Sequence, residues 1–219
     1  MSISYQSLLD ALEACKKDSE QAPLTLGTAF DRLQESSFSF VCLLLALPFL
    51  QPVSLGPLSS IGGLTFAALG WQLARGREIP WLPDSVKKIS LGKTTWSVLI
   101  RILSGVVRFC HRFTRPRLQT LVSGLKGDTI IGWIIIVAGL LMAIPFFGLP
   151  FNNTLPALAI VAVCIAELED DGGFVIVSLA LLVLTVVYFS FIAYAILGGM
   201  NYVLEYFGMT ELIGGAAPK

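Results

Sequence analysis

Two groups of residues in this 219-residue chain have types and spacing that could do chemistry. The first is polar and brackets two proline-rich breaks: Ser54, Gly56, Ser59 and Ser60 in the first, Asn152, Asn153 and Thr154 in the second. Each set immediately precedes or opens an apolar helix. Helix N-termini carry unpaired N–H groups and a partial positive charge, so two of them held together in an apolar setting make a donor-rich site for an anion or a polar headgroup. The plainer expectation is that Asn152 and Asn153 simply cap their helix. The second group is ionisable: Arg75 closes the first apolar unit, and Glu167, Glu169, Asp170 and Asp171 close the second. Glu167 is the deepest of these acids, one residue past Ala166, and is a candidate proton or cation site with Asp170, Asp171 and Arg75. Otherwise the group marks the water interface.

Conventional catalytic constellations are missing. His111, the single histidine, sits among Arg108, Arg112 and Arg115 with no paired nucleophile. Cys15, Cys42, Cys110 and Cys164 are far apart and form no Cys-x-x-Cys pair, which argues against a disulfide framework or a metal site. No phosphate-binding glycine loop follows a strand. The expectation is therefore a non-enzyme without cofactor or metal.

The elements that must position these residues repeat. Ala46-Leu47-Pro48-Phe49-Leu50 recurs 97 positions later as Ala143-Ile144-Pro145-Phe146-Phe147, each copy inside a long uncharged stretch, 36–74 and 129–166. Paired apolar segments broken at corresponding positions are the pattern of membrane proteins built from structural repeats. The pattern predicts an all-α integral membrane protein with two repeated Pro-broken helical hairpins over 37–76 and 129–172, each either re-entrant, with its tip within the membrane, or a pair of short tilted spans. An N-terminal amphipathic region (1–36) precedes them, a basic amphipathic helix lies in the linker 77–128, and a full transmembrane helix (173–200) and a loosely ordered tail (201–219) follow. The first unit has arms Phe38–Leu50 and Leu58–Ala74, the second Ile130–Phe147 and Leu155–Ala166. Small residues Gly62, Gly63, Ala67, Ala68 and Gly70 would let helices approach closely within or between protomers.

Composition agrees with a membrane setting: 55% hydrophobic, 14% charged, and a mean hydropathy of +0.77. Net charge is zero, yet residues 75–126 hold eleven Lys or Arg against Glu78 and Asp84. This bias favours the cytoplasmic side and anionic headgroups. On a helix over 85–115, Thr94, Ser97, Arg101, Ser104, Arg108, Arg112 and Arg115 make one stripe, and Trp96, Leu99, Leu103, Val106, Cys110 and Phe113 the other. That face is too apolar for a nucleic-acid-binding helix and suits the membrane interface. The acidic N-terminal segment does not read as a cleaved secretory signal, so the first membrane segment is expected to serve as its own insertion signal.

The strings L-L-L-A-L-P-F-L-Q-P, G-P-L-S-S-I-G-G-L and W-Q-L-A-R-G-R-E-I-P-W-L-P, followed by A-I-P-F-F-G-L-P-F-N-N-T-L-P-A-L-A-I and E-L-E-D-D-G-G, cover roughly residues 24 to 200. In these motifs the chain resembles the ExoD family of bacterial exopolysaccharide-synthesis membrane proteins. The resemblance implies a multi-pass protein of the bacterial plasma membrane with a role in surface polysaccharide production and an association with alkali tolerance. It carries no molecular activity with it. The leading expectation is a small transporter or channel-like protein, and the alternative is a non-catalytic scaffold or regulator of the polysaccharide assembly machinery. A lipid-linked sugar transferase is a distant third. Expected partners are membrane lipids, with anionic headgroups at the basic helix, the assembly machinery and a second copy as a homodimer, and not nucleic acid.

Overall fold

The computed structural model describes residues 37–51, 56–77, 79–81, 118–145 and 149–206, with side chains to 199, and scattered positions within 13–28 and 88–108. Prolines and glycines set the helix boundaries. The first helix, α1 (Ser37–Ala46), is buried on nearly every side through Phe38, Phe40, Val41, Cys42, Leu43 and Ala46, as befits a helix apolar all round. Pro48 has no N–H to continue the ladder, and the chain passes into a 3-10 turn, Leu47–Leu50. The second helix, α2 (Pro57–Ala74), starts with Pro57 in its first turn, after Gly56 at φ 58°, a backbone conformation that favours glycine. Gly76, at φ 72°, ends it by donating to the Leu73 carbonyl at 2.8 Å.

Helix α3 (Gly124–Ala143) stops where Pro145 forces the preceding Ile144 into an extended conformation, ψ 124°. Helix α4 (Thr154–Glu169) tolerates Pro156 in its first turn and ends at Asp170, which is left-handed at φ 51°. Helix α5 (Gly172–Tyr206) is 35 residues long. Two of the helices, Gly124–Ala143 and the segment Gly172–Gly199, are long and apolar enough to cross a membrane.

The chain is thus helical as expected, with one addition. Leu24–Thr25 pairs antiparallel with Ser90–Leu91, Leu24 opposite Leu91. Among the described residues, the expected amphipathic helix over 85–115 is helical from Lys93 onward, where Thr94, Arg101 and Arg108 are exposed and Ile100 is buried. Arg112 and Arg115, the apolar-face residues Trp96, Leu99, Leu103, Val106, Cys110 and Phe113, and most of the N-terminal region lie outside the described residues. Helix α3 starts five residues before the expected hairpin, because its beginning follows the turn through Leu118–Ser123 rather than the hydropathy step. Helix α5 continues six residues beyond 200, into the expected tail.

Packing brings the hairpins side by side. Helices α2 and α3 run antiparallel and nearly touch at their backbones: a Cβ on Gly63 would lie 2.4 Å from the Gly139 carbonyl oxygen, and one on Gly70 2.6 Å from that of Gly132. Small residues set this approach within one chain. Helices α1 and α4 form a second antiparallel pair. Helix α5 lies along α4, where the Ser178 hydroxyl donates to the Ala159 carbonyl at 2.7 Å. In this arrangement both breaks fall at one end of the bundle. The helix ends rich in charge, with Arg75, Lys126, Asp128 and Glu169, fall at the other.

Candidate polar site at the hairpin breaks

Two hydroxyls tie the breaks together across the hairpins. Thr154, opening α4, donates to the Gln51 carbonyl at 2.8 Å, and Ser60, in the first turns of α2, donates to the Ala143 carbonyl at 3.0 Å. Each satisfies a carbonyl released where a helix of the other hairpin ends, which is where an apolar environment cannot supply a partner. Tyr188 of α5 adds a third tie, its hydroxyl donating to the Pro150 carbonyl at 2.6 Å. Removing both cross-hairpin hydroxyls, by Thr154→Val and Ser60→Ala, is expected to cost about 1 kcal/mol per bond. Thermal unfolding in detergent checks this, and an unchanged midpoint in the double variant would show that the ties hold nothing.

The asparagines behave differently from the expected caps. Asn152 and Asn153 are 3% and 1% exposed, but Asn153 occupies the cap position in a helical conformation, φ −95° and ψ −33°, with no side-chain cap bond. A cap side chain accepts from the second or third helical N–H. Here the Leu155 N–H is taken by the Phe151 carbonyl at 3.2 Å, and the third position is Pro156, which has none. The capping expectation is therefore corrected by Pro156 itself. Both polar atoms of the Asn153 amide remain without a hydrogen bond, as does the Ser59 hydroxyl, 3% exposed at the start of α2. Buried polar groups are ordinarily paired, and these two exceptions lie beside the two helix starts. Phe151, at φ 61°, holds the turn before them in a conformation that bulky side chains rarely adopt. Gly56 is half-buried at its turn, and Ser54 lies outside the described residues.

The ionisable group divides. The Ser39 hydroxyl of α1 donates to the Glu167 carboxylate of α4, beside the buried thiols of Cys42 and Cys164. Asp171 is used locally, accepting from the Gly173 N–H at 2.9 Å to cap α5. Asp170 makes the left-handed turn between α4 and α5. Arg75 stacks on Trp71, 4.4 Å from its ring centroid, and forms no ion pair with the acids among the described residues. The sequence reading did not single out Ser39, Cys42 or Gln51 for this role. Ser39 was visible as a hydroxyl three residues before Cys42 in a helix whose other hydroxyl is Ser37 at its first position, matching the three-residue spacing of Cys164 and Glu167.

The other end carries an open concavity of about 640 Å³ lined by Gln119, Thr120, Ser123, Gly124, Leu125 and Lys126. The turn after α2 is held by the Trp81 N–H, which donates to the Gln72 side-chain oxygen at 2.6 Å. These residues belong to the W-Q-L-A-R-G-R-E-I-P-W-L-P string.

Comparison with known proteins agrees with the motifs. Residues 8–191 match the family model described as "Exopolysaccharide synthesis, ExoD". The chain is 30% identical over 192 residues to Protein ExoD of Rhizobium meliloti, covering 88% of this chain and 80% of that protein. It is 24% identical over 156 residues to an uncharacterized protein of Synechocystis sp., covering 71% and 72% respectively. No solved structure matches. With the family model spanning most of the chain, and both proline-broken hairpins inside the match, this protein belongs to the ExoD family of exopolysaccharide synthesis.

Proposed function

We propose that the protein is a multi-pass component of the bacterial plasma membrane that serves exopolysaccharide synthesis by passing a small polar solute through the site at its hairpin breaks. The observation that carries this reading is the buried, unpartnered amide of Asn153 at a break tied to its counterpart by Thr154 and Ser60.

The depth of that site follows from α5. Its uncharged run, Phe174 to Leu197, is 24 residues, about 36 Å of helix at 1.5 Å per residue and enough to cross a hydrocarbon core of about 30 Å. Tyr188, which touches the second break, lies about 21 Å along that run and leaves about 14 Å of apolar helix beyond it. Only 28% of the most apolar stretch of α5 is buried, and Ile176, Val183, Val187 and Phe191 are exposed. A face this apolar and this continuous suits lipid rather than water. With α5 spanning, the breaks sit inside the bilayer and the hairpins re-enter from the charged end, which the basic bias of residues 75–126 assigns to the cytoplasm. The pairing of α2 with α3 and of α1 with α4 is what a two-fold axis along the membrane normal generates from one hairpin. This supports a parallel repeat in preference to an inverted one. A second copy is the other candidate for the exposed α5 face, and the mass of the protein in nanodiscs separates a homodimer from lipid contact.

Cysteine accessibility tests the depth. In a background with the four native cysteines replaced by Ala, cysteines at Arg77 and Lys126, both exposed at the charged end, are expected to react with an impermeant maleimide from the cytoplasm alone. One at Phe151 is expected to react slowly or not at all from either side. Rapid labelling of position 151 from the periplasm would place the breaks at a membrane surface and remove the re-entrant reading. Flux of labelled monosaccharides and small anions into liposomes holding the purified protein then tests transport. Absence of flux for every solute, with normal labelling, would favour the scaffold role.

A further inference from the structure

Asp170 and Asp171 are taken up by the turn between α4 and α5, and Glu167 is not. Its carboxylate lies where three helices converge, and the groups facing it are known from each. Helix α1 presents Ser39, which donates to it, and Cys42. Its own helix presents Cys164, and α3 presents Asp128, a second acid. Helix α5 has no charged residue between Gly172 and Gly199 to offer. No Lys or Arg pairs with Glu167 among the described residues.

A carboxylate enclosed by apolar helices beside a second acid, with one hydroxyl and no cation, lacks the compensation that an ionised group needs in a low-dielectric setting. The neutral acid removes that cost. A metal ion is a poor alternative, because the only hydroxyl in reach is already committed as a donor and no group of three ligating side chains occurs among the described residues. Ser39 is 0% exposed and Glu167 is half-buried, in the last turn of α4 next to the charged end of the hairpins, where water is nearest. Protonation also bears on packing, since Ser39 and Glu167 form a hydrogen bond between α1 and α4, the first and last helices of the two hairpins.

We propose that Glu167 is a proton-binding site, taking its proton from water at the charged end of the hairpins and holding it between α1 and α4 under the Ser39 hydroxyl. The inference rests on the bilayer placement above, and couples the hairpin pair to the proton rather than to a second solute. The proton goes onto the carboxylate oxygen and leaves from it, with no other bond changed.

Infrared difference spectroscopy of the full chain in liposomes tests this directly. At neutral pH the wild type is expected to show a carboxylic-acid C=O band that shifts with carboxyl-13C-glutamate labelling and bleaches at alkaline pH. Glu167→Gln is expected to lose the band. Ser39→Ala, which leaves the acid in place, is expected to move it to higher frequency through loss of the hydroxyl contact. A spectrum with no glutamate acid band from pH 6 to pH 9, or a band unchanged in both variants, overturns the proposal. If Glu167→Gln does not fold, the Ser39→Ala shift and the isotope shift decide the question. The readout is independent of flux: a band without solute flux retains the proton site and removes the transport reading, and flux without a band does the reverse.

Discussion

Gly70→Val is expected to leave little folded protein. At this position even a single methyl carbon would lie 2.6 Å from the Gly132 carbonyl oxygen and 2.9 Å from the Ile136 nitrogen. Both obstacles are backbone, so no rotamer change relieves them and α2 must move away from α3 along its length. Overpacking of a well-filled interior typically costs about 1–3 kcal/mol, and the rigid backbone on both sides places this substitution at or above about 3 kcal/mol. Gly139→Val should behave alike, its Cβ meeting the Gly63 carbonyl oxygen at 2.5 Å. Gly198→Ala is the control: nothing lies within 4 Å of its Cβ position, and the change should be neutral or stabilise α5 by up to about 1 kcal/mol. Yield of monodisperse protein in detergent and its thermal midpoint separate these cases. The combination of Gly70→Ala with Gly132→Ala should cost less than the sum, because the first substitution already separates the helices at that crossing. Strict additivity, or a Gly70→Val protein with a wild-type midpoint, would mean that this seam is looser than its geometry.

The seam shows what could be read in the sequence and what could not. Gly63 and Gly70 stood out as small residues seven apart on an apolar helix, and close approach followed from their size. Their partners Gly132 and Gly139, also seven apart, were legible only once α2 and α3 were known to lie antiparallel, which no local pattern specifies. Pro57 opens α2 one residue from the expected Leu58, whereas the expected arms ran through Pro48 and Pro145 to Leu50 and Phe147 and the α-helices stop at Ala46 and Ala143, because proline lacks an N–H and restrains the residue before it. The start of α3 was not legible, since it depends on a turn through Leu118, at φ 49°, whose carbonyl packs against Gly172 of a distant helix. In the acidic cluster, the sequence identified Glu167 as the deepest acid but could not separate it from Asp170 and Asp171. That distinction came from Asp171 capping α5 and from Ser39, 128 positions away, reaching Glu167.

The asparagine at the break makes the sharpest contrast between stability and function. Asn153→Leu keeps the forked shape and heavy-atom count of the side chain and removes an amide that makes no hydrogen bond although it is 1% exposed. Leaving a buried polar group unpaired costs about 1–3 kcal/mol, so its removal should leave the thermal midpoint unchanged or raise it. A structural residue would show the opposite, a loss of stability with its last contact. The same substitution strips the break of the donor and acceptor that an entering solute would meet, and exopolysaccharide output should fall severely when the variant replaces wild type in a strain lacking its own ExoD-family gene. Asn153→Asp, which keeps the acceptors but adds negative charge beside the α4 N-terminus, discriminates further: it should be tolerated if the site takes a neutral or cationic solute, and should fail if the solute is an anion. Wild-type output from Asn153→Leu at normal membrane levels would end the binding role of this residue. A destabilised Asn153→Leu would return it to the structural residues of the hairpin.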